Sequence, residues 1–259
     1  MSLKLKKIIT RIMSLKHNSG NLTNKFCCIC NNDVVGFQPY RDGWKNAPQL
    51  MSVLEVIGSD LDNFSCTICG AHDRERHLFL FFEALKLFDK FEGASILHFA
   101  PEKRLAKIIE SKVPLSYIKA DLYPSDSTIE KVDMTNICYD SESFDIVIAN
   151  HVLEHIPDDI KALSELRRVL KKGGMAILQT PYSAKLNTTL QDSGIDDDNS
   201  RLHLYGQEDH VRLYGLDIFD RFASVGLLPD IKVHDLTLSN IDSSRYGVNP
   251  REPLFLYTK

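Results

Sequence analysis

The sequence predicts an α/β protein whose main body is a doubly wound, mostly parallel sheet, preceded by a small cysteine-built module. Three observations carry this. Short β-branched and apolar runs alternate with helix-patterned segments from Ala94 to about Val225, and that alternation demands parallel strands with helices on both faces. The run Phe144 to Ala149 is apolar at nearly every position rather than every second one, as in a strand buried on both sides. Two C-x-x-C pairs, Cys27 with Cys30 and Cys66 with Cys69, precede the alternating region and are separated by 35 residues.

The chain divides into residues 1–25, 26–73 and 74–259. In the first stretch Leu5, Ile8, Ile9, Ile12 and Met13 recur at helical spacing with lysines between them, the pattern of a basic amphipathic helix. The second holds both cysteine pairs and little periodicity. In the third, Arg74 to Phe91 reads as a helix with Leu78, Phe81, Phe82, Leu85 and Phe88 on one face, ended by Gly93. Ala94 to Phe99 is a strand, Glu102 to Ser111 a helix, and Leu115 to Ala120 a second strand ending at Asp121. After the strand Phe144 to Ala149, Asp158 caps a helix running to Lys171, with Gly173 as its left-handed C-cap. Met175 to Leu178 is the next strand and Gly215 to Val225 the next helix. Leu228 to Val233 and Pro253 to Tyr257 are expected to pair as an antiparallel hairpin. The tract Asp192 to Ser200 reads as an exposed acidic loop.

The net charge of −4 is unevenly spread. Six basic residues precede the first acid, Asp33, and the remainder carries 25 basic residues against 35 acids. Such a body repels phosphates, which argues against a nucleic-acid partner. No apolar run approaches the ~20 residues of a membrane-crossing helix. The N-terminus lacks the unbroken apolar stretch and small-residue cleavage site of a secretory signal. A cytoplasmic, reducing setting is therefore expected for the six cysteines, and a disulfide framework is not. Residues 1–18 have two readings: docking onto the sheet domain or a second subunit, or peripheral contact with the inner face of an anionic membrane. The oligomeric state stays open.

Two thiolates two residues apart grip one ion from a tight turn, and two such turns complete a tetrahedral shell. Cys27, Cys30, Cys66 and Cys69 are therefore expected to hold a structural zinc, with Cys28 and His72 as the alternatives to Cys27 and Cys69. Phe37, Tyr40 and Trp44, in the loop between the pairs, read as a mini-core for this module rather than a stacking surface.

Ligands of parallel sheets bind at the carboxyl ends of the strands. Those ends here are His98-Phe99-Ala100-Pro101-Glu102, Asp121, and Asn150-His151-Val152-Leu153-Glu154-His155. An acid in the position of Asp121 commonly accepts hydrogen bonds from a ribose diol. The run FDIVIANHVLEHIPDDIKALSELRRVLKKGGMAILQTP, residues 144–181, resembles class I S-adenosylmethionine-dependent methyltransferases, with strand, loop, helix, turn and strand in order. The resemblance extends over roughly Arg74 to Lys259. It implies a Rossmann-like sheet of seven strands with the last inserted antiparallel, and S-adenosylmethionine as cofactor. It implies Asp121 at the ribose, Asp133 at the adenine amino group, Met134 beside the ring, and Asn150 and His151 near the methionine part and the methyl group.

The first strand end departs from the family. Its usual acid and G-x-G-x-G are replaced, with His98 at the acid and Ala100 and Glu102 at the first two glycines. Either Glu102 binds the cofactor ammonium, or the loop is wider and the cofactor sits differently. The runs CTICGAHDRERHLFLFF and LHFAPE resemble a bacterial subset of these methyltransferases with an N-terminal zinc module. There the helix before the first strand lies over the cofactor pocket, so Arg74 or Arg76 is expected to pair with the methionine carboxylate. A later cluster, which includes Tyr205, Asp209, His210 and Arg212, resembles the substrate-side insertion of the same subset. His210 is the candidate general base and His151 a second catalytic candidate. The alternative is that Asp209 pairs with Arg212 to order the loop while His210 is merely packed.

Three functions compete on these residues. The first is O-methylation of a small molecule or saccharide. The second is an RNA methyltransferase that uses the zinc module to hold its substrate. The third is a non-catalytic cofactor-binding protein, since fold alone does not fix function.

Overall fold

The computed structural model describes residues 25–259, so the amphipathic segment expected over 1–25 lies almost wholly outside the described residues. The chain begins with two small hairpins. Strand β1 (Lys25–Cys27) pairs antiparallel with β2 (Asn32–Val34), and β3 (Phe37–Gln38) with β4 (Ser65–Cys66). Each C-x-x-C occupies a turn at the end of a hairpin. Gly70 closes the second turn with φ +75, donating to the Cys66 carbonyl at 2.9 Å, a conformation that glycine adopts without steric cost. Helix α1 (Gln49–Val53) lies in the long connection from β3 to β4.

Helix α2 (Asp73–Ala84) follows the second turn. It is shorter than the 74–91 helix expected from periodicity. Lys86 takes a left-handed φ of +56, and Leu87–Lys90 forms a separate 3-10 turn. The apolar stripe continues through the break because Leu87, Phe88 and Phe91 still pack on the same cluster as Phe81 and Phe82. Glu75 ties α2 to helix α3 (Lys103–Glu110). Its carboxylate accepts from the His72 amide at the start of α2 and from the Arg104 and Leu105 amides at the start of α3, which satisfies donors both helix ends would otherwise leave orphaned.

The large sheet is built from β5 (Ser95–Phe99), β6 (Ser116–Asp121), β7 (Glu130–Lys131), β8 (Phe144–Ala149), β9 (Leu170–Ile177), β10 (Leu228–Pro229) and β11 (Leu256–Thr258). Its order is β10-β11-β9-β8-β5-β6-β7. The pairs β5–β6, β5–β8, β6–β7 and β8–β9 are parallel, and β11 runs antiparallel to both β9 and β10. The expected inserted last strand and terminal hairpin are therefore both present.

Alternate residues of the central strands enter two apolar layers. Leu97, Val147 and Ala149 pack with helices α4 (Asp159–Val169) and α6 (Ile218–Ala223) on one face, while Ile96, Ile146 and Ile148 pack with α2 and α3 on the other. Between α4 and α6 lies α5 (Asp198–Tyr205), so part of the acidic tract is helical. The Asp197 side chain caps it by accepting from the Ser200 amide. Gly173 is not a helix cap. Helix α4 ends at Val169, and Gly173, with φ +75, sits inside β9 where the register against β8 slips. Its amide donates to Lys259 instead, so the C-terminal strand demands this turn rather than the helix.

Strand order reverses between β5 and β8. The loops after these two strands diverge and leave a crevice at their carboxyl ends, where doubly wound sheets bind ligands.

Candidate active site

The β5 loop opens the site. Ala100 adopts φ +45, a left-handed conformation that costs a non-glycine residue roughly 1–2 kcal/mol. Glu102 heads α3, and its carboxylate turns into the protein. His98 Nε2 lies 3.2 Å away, Asn150 Nδ2 donates to Oε1, and Arg74 Nε stands 4.0 Å from Oε1. Burial alone would raise the Glu102 pKa, but the imidazole of His98 and then the charge of Arg74 hold it below the usual carboxylate range. His98 is fully buried and meets the Tyr117 hydroxyl at 2.8 Å through Nδ1. The residues that replace the family's acid and second glycine thus face each other inside the protein, 3.2 Å apart.

On the β6 side the acids are open. Asp121 accepts from the Tyr123 amide through one oxygen, and Asp133 from Thr135 through one oxygen. Met134 is buried beside Asp133.

The loop after β8 holds Asn150 and His151. His151 has φ +56, and its amide donates to the Gln179 carbonyl. Its ring lies between two buried carboxylates, with Nδ1 3.4 Å from Glu154 and Nε2 3.5 Å from Glu252. Burial alone would lower its pKa, but the two carboxylates raise it to about 9. At neutral pH His151 is therefore an imidazolium. Held between the two carboxylates, His151 is a buried charge beside the crevice. Glu252 continues inward to His77, which meets His234 at 2.8 Å.

His210 approaches from the segment after α5. Its Nδ1 lies 3.0 Å from the Tyr205 carbonyl, and burial lowers its pKa. It is therefore neutral at pH 7, with a free lone pair on Nε2. Arg212 places it. The Arg212 guanidinium donates to the carbonyls of Leu153, Ile156 and Pro157 and to Gln191, which fastens the His210 segment to the loop after β8. The alternative Asp209–Arg212 pair does not form. Asp209 reaches His155 at 3.2 Å, and Arg212 lies 3.7 Å from Asp159.

Arg74 and Arg76 part company. Arg74 points into the crevice, and its Nε is buried without a hydrogen-bond partner. Arg76 is fully buried and donates to five carbonyls, those of Asn63, Phe64, Ala71, Tyr246 and Gly247. It has no donor left for a cofactor carboxylate, and it clamps the cysteine module to the C-terminal segment instead. Two residues apart on α2, the two side chains leave opposite faces of the helix, and the DRER spacing alone does not say which face meets the crevice.

A cavity of about 500 Å³ lies between the cysteine module and the strand ends. Tyr40, Trp44 and Phe64 line the module side, while Arg74, His151 and His210 face them. Tyr40 and Trp44 are therefore cavity-wall residues, and of the three expected mini-core aromatics only Phe37 packs among the cysteines. Sequence reasoning also passed over Glu252, which stands in a charged, proline-flanked stretch with no motif around it. Glu154 stands in the HVLEHI run, where the sequence assigns it no role.

The structure brings the four sulfurs of Cys27, Cys30, Cys66 and Cys69 within 4.8 Å of one another. Cys27 lies 3.8 Å from Cys69 and Cys30 lies 4.0 Å from Cys66. Cys28 turns away to the Arg76 carbonyl, and His72 stacks on Phe64.

The methyltransferase-domain family matches residues 92–178. The ubiquinone biosynthesis O-methyltransferase of Cereibacter sphaeroides is 29% identical over 156 residues, 57% of this chain and 62% of that protein. The demethylmenaquinone methyltransferase of Staphylococcus epidermidis is 44% identical over 45 residues, 17% of this chain and 19% of that protein. The chain thus spans less than two thirds of the length of the curated relatives it matches. A solved S-adenosylmethionine-dependent methyltransferase from Mesorhizobium loti is 12% identical, with a TM-score of 0.48 over 68% of this chain and 96% of that one. No helix among the described residues is long and apolar enough to cross a membrane. Residues 92–178 thus match a methyltransferase domain, and the sheet they help to build carries an antiparallel strand wedged beside β9.

Proposed function

We propose that this protein transfers a methyl group from S-adenosylmethionine to an oxygen of a small molecule or saccharide held in the cavity between the cysteine module and the strand ends. The observation that carries this reading is the cavity itself. It is closed on one side by aromatic rings and on the other by Arg74, His151 and His210, beside the crevice of a methyltransferase sheet. The name of the Cereibacter relative, an O-methyltransferase, supports oxygen as the acceptor.

S-adenosylmethionine supplies an electrophilic methyl group on a sulfonium sulfur. The chain's residues fit it. Arg74 Nε and Asn150 Oδ1 are a donor and an acceptor buried without hydrogen-bond partners at the strand ends, suited to a carboxylate and an ammonium. Glu102 holds Asn150 and stands near Arg74, and so positions both. Asp121 and Asp133 each keep an oxygen free for the ribose and the adenine amino group. The module's aromatic wall excludes water and orients the acceptor. The hydroxyl falls against His210 Nε2, the buried lone pair on the facing wall.

Cys27, Cys30, Cys66 and Cys69 would hold a structural zinc. Tetrahedral ligands at ~2.3 Å from zinc stand about 3.8 Å apart, and the two closest sulfur pairs match this. Such an ion leaves no open position for chemistry and instead holds the cavity wall in place.

Calorimetry with S-adenosylmethionine tests the reading, followed by an assay for S-adenosylhomocysteine release with hydroxylated acceptors. Micromolar cofactor binding and acceptor-dependent release are expected. A protein that ignores the cofactor overturns it.

A further inference from the structure

A second cluster of ligand atoms stands at the cavity wall. Glu154, His155 and His210 each offer one ligand atom, and these atoms all lie within 4.8 Å of one another. Each side chain is braced from behind. The Tyr205 carbonyl takes the Nδ1 proton of His210, which leaves the lone pair on Nε2. Asp209 does the same for His155, with its carboxylate 3.2 Å and its carbonyl 3.3 Å from Nδ1. Glu154 accepts from the Thr180 hydroxyl at 2.8 Å through Oε2 and turns Oε1 toward His151. Outer partners of this kind orient histidine and carboxylate ligands in metal sites. His210 Nε2 is buried with no hydrogen-bond partner, in a residue only 3% exposed, while Glu154 Oε1 stands 3.4 Å from His151. A lone pair left bare at that depth is costly unless something fills it.

The His155 and His210 rings meet edge to face at 4.7 Å, and Arg212 spends its donors on fastening their two loops together. Two imidazoles and one carboxylate suit a borderline divalent cation, and three protein ligands leave further positions open. His210 brings the cluster to the cavity surface.

We propose that Glu154, His155 and His210 bind a divalent cation, and that its open positions take two neighbouring oxygens of the methyl acceptor. This places His210 as a ligand rather than a free base, and it narrows the acceptor to molecules with adjacent oxygen donors. The substrate half rests on the methyl-transfer reading above. A cation makes a coordinated hydroxyl more acidic. The hydroxyl proton leaves to solvent and the oxygen keeps the electron pair. That pair forms the bond to the methyl carbon as the carbon–sulfur bond breaks, its electrons returning to a neutral thioether sulfur.

The test is a titration of the purified full chain with Mn²⁺, by calorimetry and by loss of the free-ion electron paramagnetic resonance signal. One Mn²⁺ per chain is expected. His155→Ala, at a side chain one third exposed, and His210→Gln should each weaken it at least about tenfold, with unchanged circular dichroism. Protein that ignores Mn²⁺ at millimolar concentration, or both variants binding as the parent does, overturns the proposal. S-adenosylmethionine binding in the absence of Mn²⁺ reports on the methyltransferase reading separately. Cofactor bound with Mn²⁺ ignored removes the cation and leaves that reading standing.

Discussion

The cluster of four cysteines and the cluster of Glu154, His155 and His210 both gather ligand atoms within 4.8 Å, but they are assembled in opposite ways. Each cysteine pair is made by one tight turn at the end of a two-stranded hairpin, so half of the cluster is local in sequence. In the other cluster, Glu154 and His155 are neighbours, while His210 comes from a loop more than fifty residues on. It is held there by Arg212, which binds carbonyls on both sides of Glu154 and His155, and by the Val211 amide, which donates to the Glu154 carbonyl. A local site announces itself by spacing. A site built by a distant clamp is invisible until the clamp closes.

The largest effect should come from Cys66→Ser. Structural zinc contributes ~10 kcal/mol or more to the folding of small modules, so metal analysis should return no zinc and the module should open. Arg76 draws on carbonyls from both the module and Tyr246–Gly247. Hydrogen exchange should therefore rise around residues 246–247 as well, while β5 and β8 stay protected. Protection retained around 246–247 would show the module to be independent of its clamp.

Arg212→Leu strikes the other cluster. It removes a buried guanidinium from three carbonyls, and losses of this kind cost ~3–5 kcal/mol. Thermal unfolding should show this, with the zinc content unchanged. The same frame is acid-sensitive. Burial would raise the Asp159 pKa, but Arg221 and Arg212 outweigh it and hold it below the ordinary value. A depressed carboxylate pKa contributes stability that is present above the unfolded value and is lost as pH falls through the folded one. Arg221→Ala should therefore destabilise the protein at neutral pH and narrow its gap from the parent as pH falls below 4, as followed by denaturation at each pH.

Asp121→Ala leaves both clusters untouched and should act on cofactor affinity alone. Charged hydrogen bonds contribute ~1.5–3 kcal/mol, so calorimetry should show a loss of at least tenfold. The smallest effect is expected at the pair Arg41–Glu208, which links the cysteine module to the His210 segment at 2.6 Å. It is solvent-exposed, and such pairs contribute ~1 kcal/mol or less. Arg41→Ala should shift the melting temperature little, and less still in high salt.

The seven-stranded, mostly parallel sheet with its inserted last strand was legible in the sequence, as was the gathering of the four cysteines. Sequence reasoning misjudged Arg76, because two arginines two residues apart on a helix carry the same charge and differ only in what the fold sets against them. It misjudged Gly173, because a glycine after a helix looks alike whether it ends that helix or turns a strand. Glu252 went unnoticed because no local pattern marks it. Its importance lies in His151 and His77, which are far away in the chain.

What the sequence determined by itself follows from local rules. Alternating apolar periods dictate strands and helices, and C-x-x-C spacing dictates the sulfur turns, because these interactions join residues a few positions apart. What only the tertiary structure decided is the ionisation and exposure of the polar side chains at the strand ends. His151 is cationic because Glu154 and Glu252 flank it, and His210 is neutral because burial outweighs the nearby acid. Charge and desolvation act through space, so the same histidine codes for either state until the chain has closed around it.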